Sequence, residues 1–481
     1  MTSAQTNPAP TVPVPLVVDL DGTLIRSDML LESFFALLAT HPVRALKAAA
    51  HVRQGKAALK AALADEAVVD VALLPFDERV VEYLRAEKAA GRPVYLASAS
   101  DQRLLERFAE HLDFFDGVFG SDRSVNLAGN AKANRLVAEF GRGGFDYIGN
   151  DTVDMAVWKT CRRAVVVNAS SRLLARLQAE HADLVDLGAP ARRPQSYLKA
   201  LRPHQWIKNT LVFVPLVAGQ YLAAMEVVLA VLAFWAFSFA ASSAYQLNDL
   251  LDLAGDRDHP TKRFRPLASG VVPLLHGSFM VPGLFLAAVI LGLFVSYQFL
   301  LVLLLYYAIT IAYSLHLKRR MMVDVMTLAG LYTLRIVGGI VALQAEPSPW
   351  LLGFSLFVFF SLAIVKRYVE LIGRLRAEKG PPRGRGYVLE DMSMLAALGA
   401  ASAFSAVVVL ALYLTSAEVN ALYDHPEILW VVCPLFMYWI SRVLLIAHRG
   451  ELHDDPVLFA AKDRISLAIG GVIVALVMLA V

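Results

Sequence analysis

The sequence predicts two structural classes in one chain: an N-terminal α/β domain with a doubly wound parallel sheet, and an all-α polytopic membrane domain of nine transmembrane helices. Three observations lead there. The composition steps near residue 200, from a charge-rich segment to a succession of long apolar stretches. Before the step, short apolar strands run into polar, carboxylate-bearing loops and alternate with helical segments. After the step, basic residues are confined to alternate loops.

Over 481 residues, 57% are hydrophobic and 18% charged, which excludes a disordered chain, a collagen-like fibre and a wholly soluble enzyme of ordinary composition. A net charge of +3, from 45 basic and 42 acidic residues, gives no case for nucleic acid. Cys161 and Cys433 have no CxxC or Cys/His neighbourhood, so both read as small buried apolar residues rather than zinc ligands or a disulfide. Residues 1–14 are Pro/Ala/Thr-rich and read as disordered. They lack the basic start and apolar core of a signal peptide, which predicts a cytoplasmic first domain. That domain is expected over 15–188, a Pro/Arg/Ala linker over 189–200 and the membrane domain over 201–481.

In the first domain, Leu16-Val17-Val18 is a strand that runs directly into Asp19-Leu20-Asp21-Gly22-Thr23. Two carboxylates one residue apart at a strand end suit a hard cation and an attacking oxygen. Three further pieces follow in order: a strand at 94–97 ending at Ser98-Ala99-Ser100, Lys132 ahead of a helix, and a strand at 145–148 entering Gly149-Asn150-Asp151-Thr152-Val153-Asp154. Residues 25–90 read as helical, the material of a small cap. Its basic stretch from Arg44 to Lys60 fits either a solvated face or contact with anionic headgroups, and the sequence does not decide.

This constellation resembles the haloacid-dehalogenase-like (HAD) phosphohydrolases, whose Rossmann-like fold the strand pattern fits, over roughly residues 14–188. The resemblance implies that Asp19 is a nucleophile forming an aspartyl-phosphate and that Asp21 protonates the leaving oxygen. By the same resemblance Ser98 and Lys132 hold the phosphoryl group, while Asp19, Asp21 and Asp151 or Asp154 hold Mg²⁺. Asn150 departs from the family, which usually has aspartate there; an amide oxygen is the weaker magnesium ligand.

In the membrane domain, spans are predicted near 207–223, 226–247, 276–296, 298–317, 322–343, 350–370, 393–415, 427–447 and 465–481. Loops around 224, 297, 346 and 420 hold no Lys or Arg. The opposite loops hold Arg257, Lys262, Arg263 and Arg265; Lys318, Arg319 and Arg320; Lys366 through Arg385; and Arg449, Lys462 and Arg464. The positive-inside rule places those basic loops in the cytoplasm, in a bacterial-type inner membrane. In the first of them Asn248, Asp252 and Asp256 recur at i, i+4 and i+8, on one helical face. Three oxygen ligands there suit Mg²⁺ bridged to a diphosphate, and carboxylates at a span end are costly without metal or partner.

This pattern resembles the UbiA-type intramembrane prenyltransferases over about residues 198–466, a family of nine helices. Within it, Arg202-Pro203-His204-Gln205-Trp206-Ile207-Lys208-Asn209 and His259-Pro260-Thr261-Lys262-Arg263-Phe264-Arg265-Pro266 are similar to the polyprenyl-phosphate phosphoribosyltransferases of the decaprenylphosphoryl-phosphoribose synthase type. So are Tyr313-Ser314 with Lys318, Asp324-Val325, and Lys366-Arg367-Tyr368-Val369-Glu370-Leu371. The resemblance implies phosphoribosyl pyrophosphate as donor, a polyprenyl phosphate as acceptor, Mg²⁺, and phosphate contacts from Lys208, Lys262, Arg263, Arg265, Lys318, Lys366 and Arg367. Tyr313, Asp324, Tyr368 and Glu370 are further candidates, as is Arg335 inside a span with Asp324 as expected partner; Arg442 reads as snorkelling or structurally paired. His453-Asp454-Asp455-Pro456 fits the same branch and could close the pocket.

Aromatic prenyltransferases of the family usually carry a second aspartate motif after the sixth span, where this chain has Lys366 and Arg367. A prenyltransferase for an aromatic or quinone-like acceptor with an independent phosphatase is the alternative, and lacks that motif here. A regulatory protein with two inactive sites is opposed by the intact Asp19, Asp21, Asn248, Asp252 and Asp256. The leading expectation is a bifunctional enzyme whose phosphatase removes the 5-phosphate of the lipid-linked product. Oligomeric state and lipid length stay open.

Overall fold

The computed structural model describes residues 13–122, 125–189, 194–376, 386–452 and 455–481. Residues 1–12 of the segment read as disordered, residues 190–193 of the linker, the basic run from Lys379 to Arg385, and His453 with Asp454 lie outside the described residues, while the rest of the linker runs into the helix Pro194–Leu201. Two compact units are present: residues 1–200 together with Gln246–Phe279, and Leu201–Tyr245 together with Met280–Val481. The aspartate-bearing segment after residue 245 therefore groups with the first unit, whereas its sequence position had assigned it to the membrane domain.

In the first unit a six-stranded parallel sheet has the order β3-β2-β1-β4-β5-β6. The strands are β1 (Leu16–Val18), β2 (Val94–Asp101), β3 (Gly117–Ser121), β4 (Asp146–Gly149), β5 (Ala164–Val166) and β6 (Val185–Asp186). Strand β1 is central, with Leu16 opposite both Val94 and Asp146. Its side chains alternate between two cores, as the period of a strand requires. Leu16 and Val18 pack with Leu84, Leu96, Leu105 and Phe108 on one face. Val17 packs with Leu136, Tyr147, Trp158 and Leu177 on the other. Burial on both faces explains why these strands read as continuous apolar runs. Strands β1, β2 and β4 are legible in the sequence; β3, β5 and β6 are short runs without a distinctive motif at their ends.

Between β1 and β2 lie the helices α1 (Met29–Thr40), α2 (Pro42–Ala50) and α3 (Lys56–Glu66), followed by α4 (Glu78–Ala89). The first three share a small core of their own, Leu37, Ala45, Ala48 and Leu63, within the stretch read as the material of a cap. Helix α1 starts where the Asp28 side chain accepts a hydrogen bond from Leu31 N at 3.0 Å. Helix α5 (Gln102–Leu112) follows β2, and α6 (Asn130–Phe140) precedes β4.

Seven helices among the described residues are long and apolar enough to cross a membrane: Ala224–Leu251, Leu274–Val295, Tyr297–Leu315, Val323–Ala342, Pro349–Arg376, Leu389–Leu414 and Pro426–His448. A pair bent by 78°, Pro456–Lys462 and Arg464–Ala480, would make an eighth. The first of the nine predicted spans is not one helix. Residues Pro203–Phe213 form 3₁₀ turns and Val214–Ala218 a short α-helix. Pro215 has no N–H to donate back into the preceding turns and sits in the first turn of the short helix, where that N–H is not needed, so the helix restarts there instead of continuing from residue 203.

Candidate active sites

The C-terminal end of β1 gathers the predicted acidic residues. Lys132 sits in the first turn of α6, where a cation opposes the helix dipole unless an acid faces it. Its ammonium donates to Asp19 Oδ1 at 2.6 Å and to Tyr147 Oη at 2.9 Å. Tyr147 in turn donates to Asp154 Oδ1 at 2.8 Å. The second Asp154 oxygen accepts from the backbone N–H groups of Asn150 and Asp151, at 3.0 and 3.1 Å. Asp154 thus holds Lys132 and the loop in place, while Asp151 is exposed and accepts from the hydroxyl of Thr152. Tyr147 was missed in the sequence because it occupies an otherwise apolar strand.

Asp21 lies at the start of α1, where Met29 N donates to its Oδ1 at 2.8 Å. Ser100 Oγ stands 3.4 Å from its Oδ2. Ser98 is buried in the same β2 end, its Oγ accepting from Ser100 N at 3.1 Å. Thr23 donates to Asn150 Oδ1 at 3.2 Å. Gly22 turns the chain with φ of +72°, and a Cβ there would stand 2.3 Å from Asn150 Nδ2. Only glycine meets both conditions.

Burial raises the Asp19 carboxyl to about 6, with Lys132 opposing and Asp154 reinforcing. Burial also raises Asp21 to about 7, helped by Asp28 and Asp19. Burial works against the Lys132 ammonium, but Asp19 and Asp154 outweigh it and its pKa rises. Near neutral pH the arrangement offers an ionised Asp19 beside a fixed cation, and an Asp21 poised between acid and base. The donors fit a hard divalent cation: Asp19 is a buried and Asp21 a half-buried carboxylate, and the amide oxygen of Asn150 meets the same loop at Thr23. Among the described residues no three His, Cys, Asp or Glu side chains form a ready-made metal cluster.

In the same unit, the helix Ala224–Leu251 ends beside Asp252 and a short helix, Leu253–Asp258, follows. The i+4 ladder is kept: Asp252 N donates to Asn248 O and Asp256 N to Asp252 O. Asn248 Nδ2 donates to Asp252 Oδ2 at 3.0 Å. Arg265 bridges Asp249 at 3.1 Å and Asp256 at 2.5 Å. Asp249 was passed over as a site residue, though it stands seven positions, two helical turns, before Asp256. Lys262 and Arg263 are exposed and are not drawn into this group; Arg263 lies over the Phe264 ring. Arg257 turns the other way and makes a buried pair with Glu32 of α1, at 2.6 and 3.0 Å.

In the second unit Lys208 and Lys366 converge on one carboxylate. Their ammonium groups reach Asp455 Oδ2 at 3.0 and 2.6 Å, and Tyr332 donates to its other oxygen at 3.3 Å. Arg335 does not pair with Asp324 as expected. It donates to Asn209 Oδ1 and Tyr306 Oη, both at 2.8 Å, and to Leu331 O. Asp324 instead takes Arg367 at 2.6 Å and Tyr387 at 2.5 Å. Arg367, 2% exposed, also donates to Glu370 at 2.5 Å and Tyr313 at 3.0 Å. An arginine answered by two acids inside the helices is a positioning element, which separates it from Lys366 beside it. Tyr368 reaches His448, Arg442 pairs with Asp463 at 2.6 Å, and Lys318 lies in a half-buried 3₁₀ turn. An apolar cavity of about 890 Å³ lies in this unit, lined by Phe213, Trp350, Phe354, Tyr413 and Phe436 among others.

Comparison with known families matches these two regions separately. The model of the UbiA prenyltransferase family matches residues 212–462, and that of haloacid dehalogenase-like hydrolases matches residues 16–157. The chain belongs to the UbiA prenyltransferase family. It is a UbiA-family membrane enzyme fused to a HAD-like domain. The same two-part length recurs in the uncharacterized protein y4nM of Sinorhizobium fredii, 37% identical over 463 residues, 96% of this chain and 90% of that one. The nodulation protein NoeC of Azorhizobium caulinodans is 36% identical over 277 residues, 56% of this chain and 89% of NoeC. The decaprenyl-phosphate phosphoribosyltransferase of Mycolicibacterium smegmatis is 31% identical over 287 residues, 58% of this chain and 90% of the mycobacterial protein.

Proposed function

We propose that the UbiA-type part transfers a phosphoribosyl group from phosphoribosyl pyrophosphate to a polyprenyl phosphate, and that the HAD-like domain removes the 5-phosphate from the lipid-linked product. The observation that carries the first half is the convergence of Lys208 and Lys366 on Asp455: a paired-cation site suited to phosphate stands where an acidic, metal-binding motif would serve a prenyl diphosphate. Similarity to the decaprenyl-phosphate phosphoribosyltransferases supports the same reading. In the reaction a lipid phosphate oxygen bonds to the ribose C1 as the bond from C1 to pyrophosphate breaks. The acceptor is already an anion and requires no general base. The apolar cavity offers room for isoprenoid carbon.

In the HAD-like domain Asp19 attacks phosphorus, and Lys132, which meets Asp19 at 2.6 Å, holds the phosphoryl group together with Ser98. The bond from phosphorus to the ribose O5 breaks, and Asp21 delivers the proton to that oxygen. Asp21 then takes a proton from the water that hydrolyses the aspartyl-phosphate. Mg²⁺, held by Asp19, Asp21 and Asn150, would neutralise charge on the phosphoryl oxygens. In the transferase, Asn248, Asp252 and Asp256 are the residues that would hold it. Fusion raises the local concentration of the intermediate at the second site.

The test supplies purified full-length protein with labelled phosphoribosyl pyrophosphate and decaprenyl phosphate, followed by mass analysis of the lipid extract. A lipid-linked ribose without 5-phosphate is expected. No lipid product removes the transferase reading; a product that keeps its 5-phosphate removes the coupling.

A further inference from the structure

Helix α3 of the cap sends one side chain into the phosphatase site. Lys60 Nζ donates to Ala99 O at 2.7 Å, between Ser98 and Ser100 at the end of β2. That carbonyl already accepts from Ser121 Oγ at 2.8 Å, so the lysine is not required to satisfy it. An ammonium has three donors, and Ala99 O is the single hydrogen-bond acceptor Lys60 meets among the described residues. It stands in the field of Asp21 first, then Asp28 and Asp19. Ser100, next to Ala99, stands 3.4 Å from Asp21 Oδ2, and Asp21 is the group assigned to protonate the departing alcohol, so Lys60 enters on the alcohol side. The end of α3 is tied down: Asp65, one turn beyond Lys60, pairs with Arg103 of α5 at 2.8 Å. The rest of the basic stretch on α2 and the turn after it is largely exposed, which sets Lys60 apart from it.

We propose that Lys60 is a specificity-determining residue of the phosphatase site, binding an anionic oxygen on the alcohol half of the ester. The inference rests on the phosphatase reading of this site and adds its substrate class: phosphate esters whose alcohol carries its own negative charge. A sugar 5-phosphate with a phosphate group at C1 meets that description.

Ribose 5-phosphate and ribose 1,5-bisphosphate differ in that second anion and serve as probes with the full-length protein. For Lys60→Ala, KM for release of the 5-phosphate from the bisphosphate should rise ~10-fold or more, as expected for a lost charge-assisted hydrogen bond. The kcat for the bisphosphate and both constants for ribose 5-phosphate should stay within about twofold, since uniform binding alone is removed. Lys60→Arg should recover most of the lost affinity. An equal rise in KM for both esters, or none for either, overturns the proposal. If the wild type hydrolyses neither ester, the phosphatase reading falls separately. Calorimetric titration of the two esters then decides for Lys60: bisphosphate binding weakened ~10-fold in Lys60→Ala supports it, and unchanged binding overturns it.

Discussion

At the end of β1, Asp19 and Asp154 stand around Lys132, with Asp21 close by; in the membrane unit, Lys208 and Lys366 share Asp455. One site is short of positive charge and the other of negative charge. A buried imbalance costs free energy until a ligand of the missing sign arrives. The acidic site therefore suits a cation with its phosphoryl group, and the basic site suits a phosphate brought by substrate. By contrast, the Arg367 network has Asp324 and Glu370 against one guanidinium with tyrosines closing the remaining positions. Saturated groups of that kind fix helices in register and leave little to offer a ligand.

The largest expected effect breaks the comparison at its acidic side. Asp19→Asn should lower phosphate release on the order of 10³-fold or more, since an amide does not attack phosphorus. Transfer to the lipid should be preserved, so the product accumulates one phosphate heavier. Lipid masses from the two proteins check this, and identical masses would separate the domain from the intermediate.

Next in size is the pair that lies within the first unit between the cap and the aspartate-bearing segment. Glu32 and Arg257 are each under a tenth exposed, and Ser27 also donates to Glu32. Glu32→Gln leaves a buried guanidinium without its countercharge, a loss of about 3 kcal/mol. Faster hydrogen exchange is expected in α1 and around Ala268 together, because Arg257 also donates to Ala268 O at 2.8 Å. Exchange that rises in one segment alone would show that they do not open as a unit.

On the basic side, Lys366→Ala should raise KM for donor or lipid phosphate roughly 10- to 100-fold, the scale of a charge-assisted contact. Lys208→Ala should act in the same direction. Arg367→Ala should instead lower the amount of folded protein, as its partners are acids and tyrosines of the structure. Wild-type kinetics in both lysine variants would restore the aromatic-acceptor reading.

These contrasts also show where sequence was informative. Asp19, Asp21, Ser98 and Lys132 were readable because each sits at the end of a short apolar strand or the start of a helix, where local pattern fixes direction. The i+4 ladder of Asn248, Asp252 and Asp256 was readable for the same reason. Lys60 was not, since in a basic helical stretch nothing local distinguishes a solvated lysine from one that reaches Ala99 O. Nor was Asp455 as a hub, because its partners at 208, 332 and 366 come from separate helices. Arg335 was assigned the nearest acid in its own span, but three turns of helix separate Asp324 from it. Asn209, from the broken first segment, is the group that meets it.

The smallest effect concerns an ion group outside both sites. Asp77, fully buried, accepts from Arg26 at 3.2 Å, from Arg79 at 2.6 Å and from Asn168 at 3.2 Å. Burial alone would raise its pKa, yet these hydrogen bonds outweigh it and hold the carboxyl far below the usual range. A depressed folded pKa means stability that is fully present above the unfolded value of ~4 and is lost as pH falls toward the folded value. Each arginine is about a third exposed, so solvent screens part of the interaction, and Asp77→Asn should cost about 1–2 kcal/mol at pH 7. The difference between wild type and variant should shrink as pH falls below ~4. Hydrogen exchange of the peptides spanning residues 24–81, measured across that range, reads it directly. A difference that persists unchanged into acid would mean that packing around residue 77, rather than its charge, supplies the stability. The contrast between a saturated ion group and the two unbalanced sites would then lose its electrostatic basis.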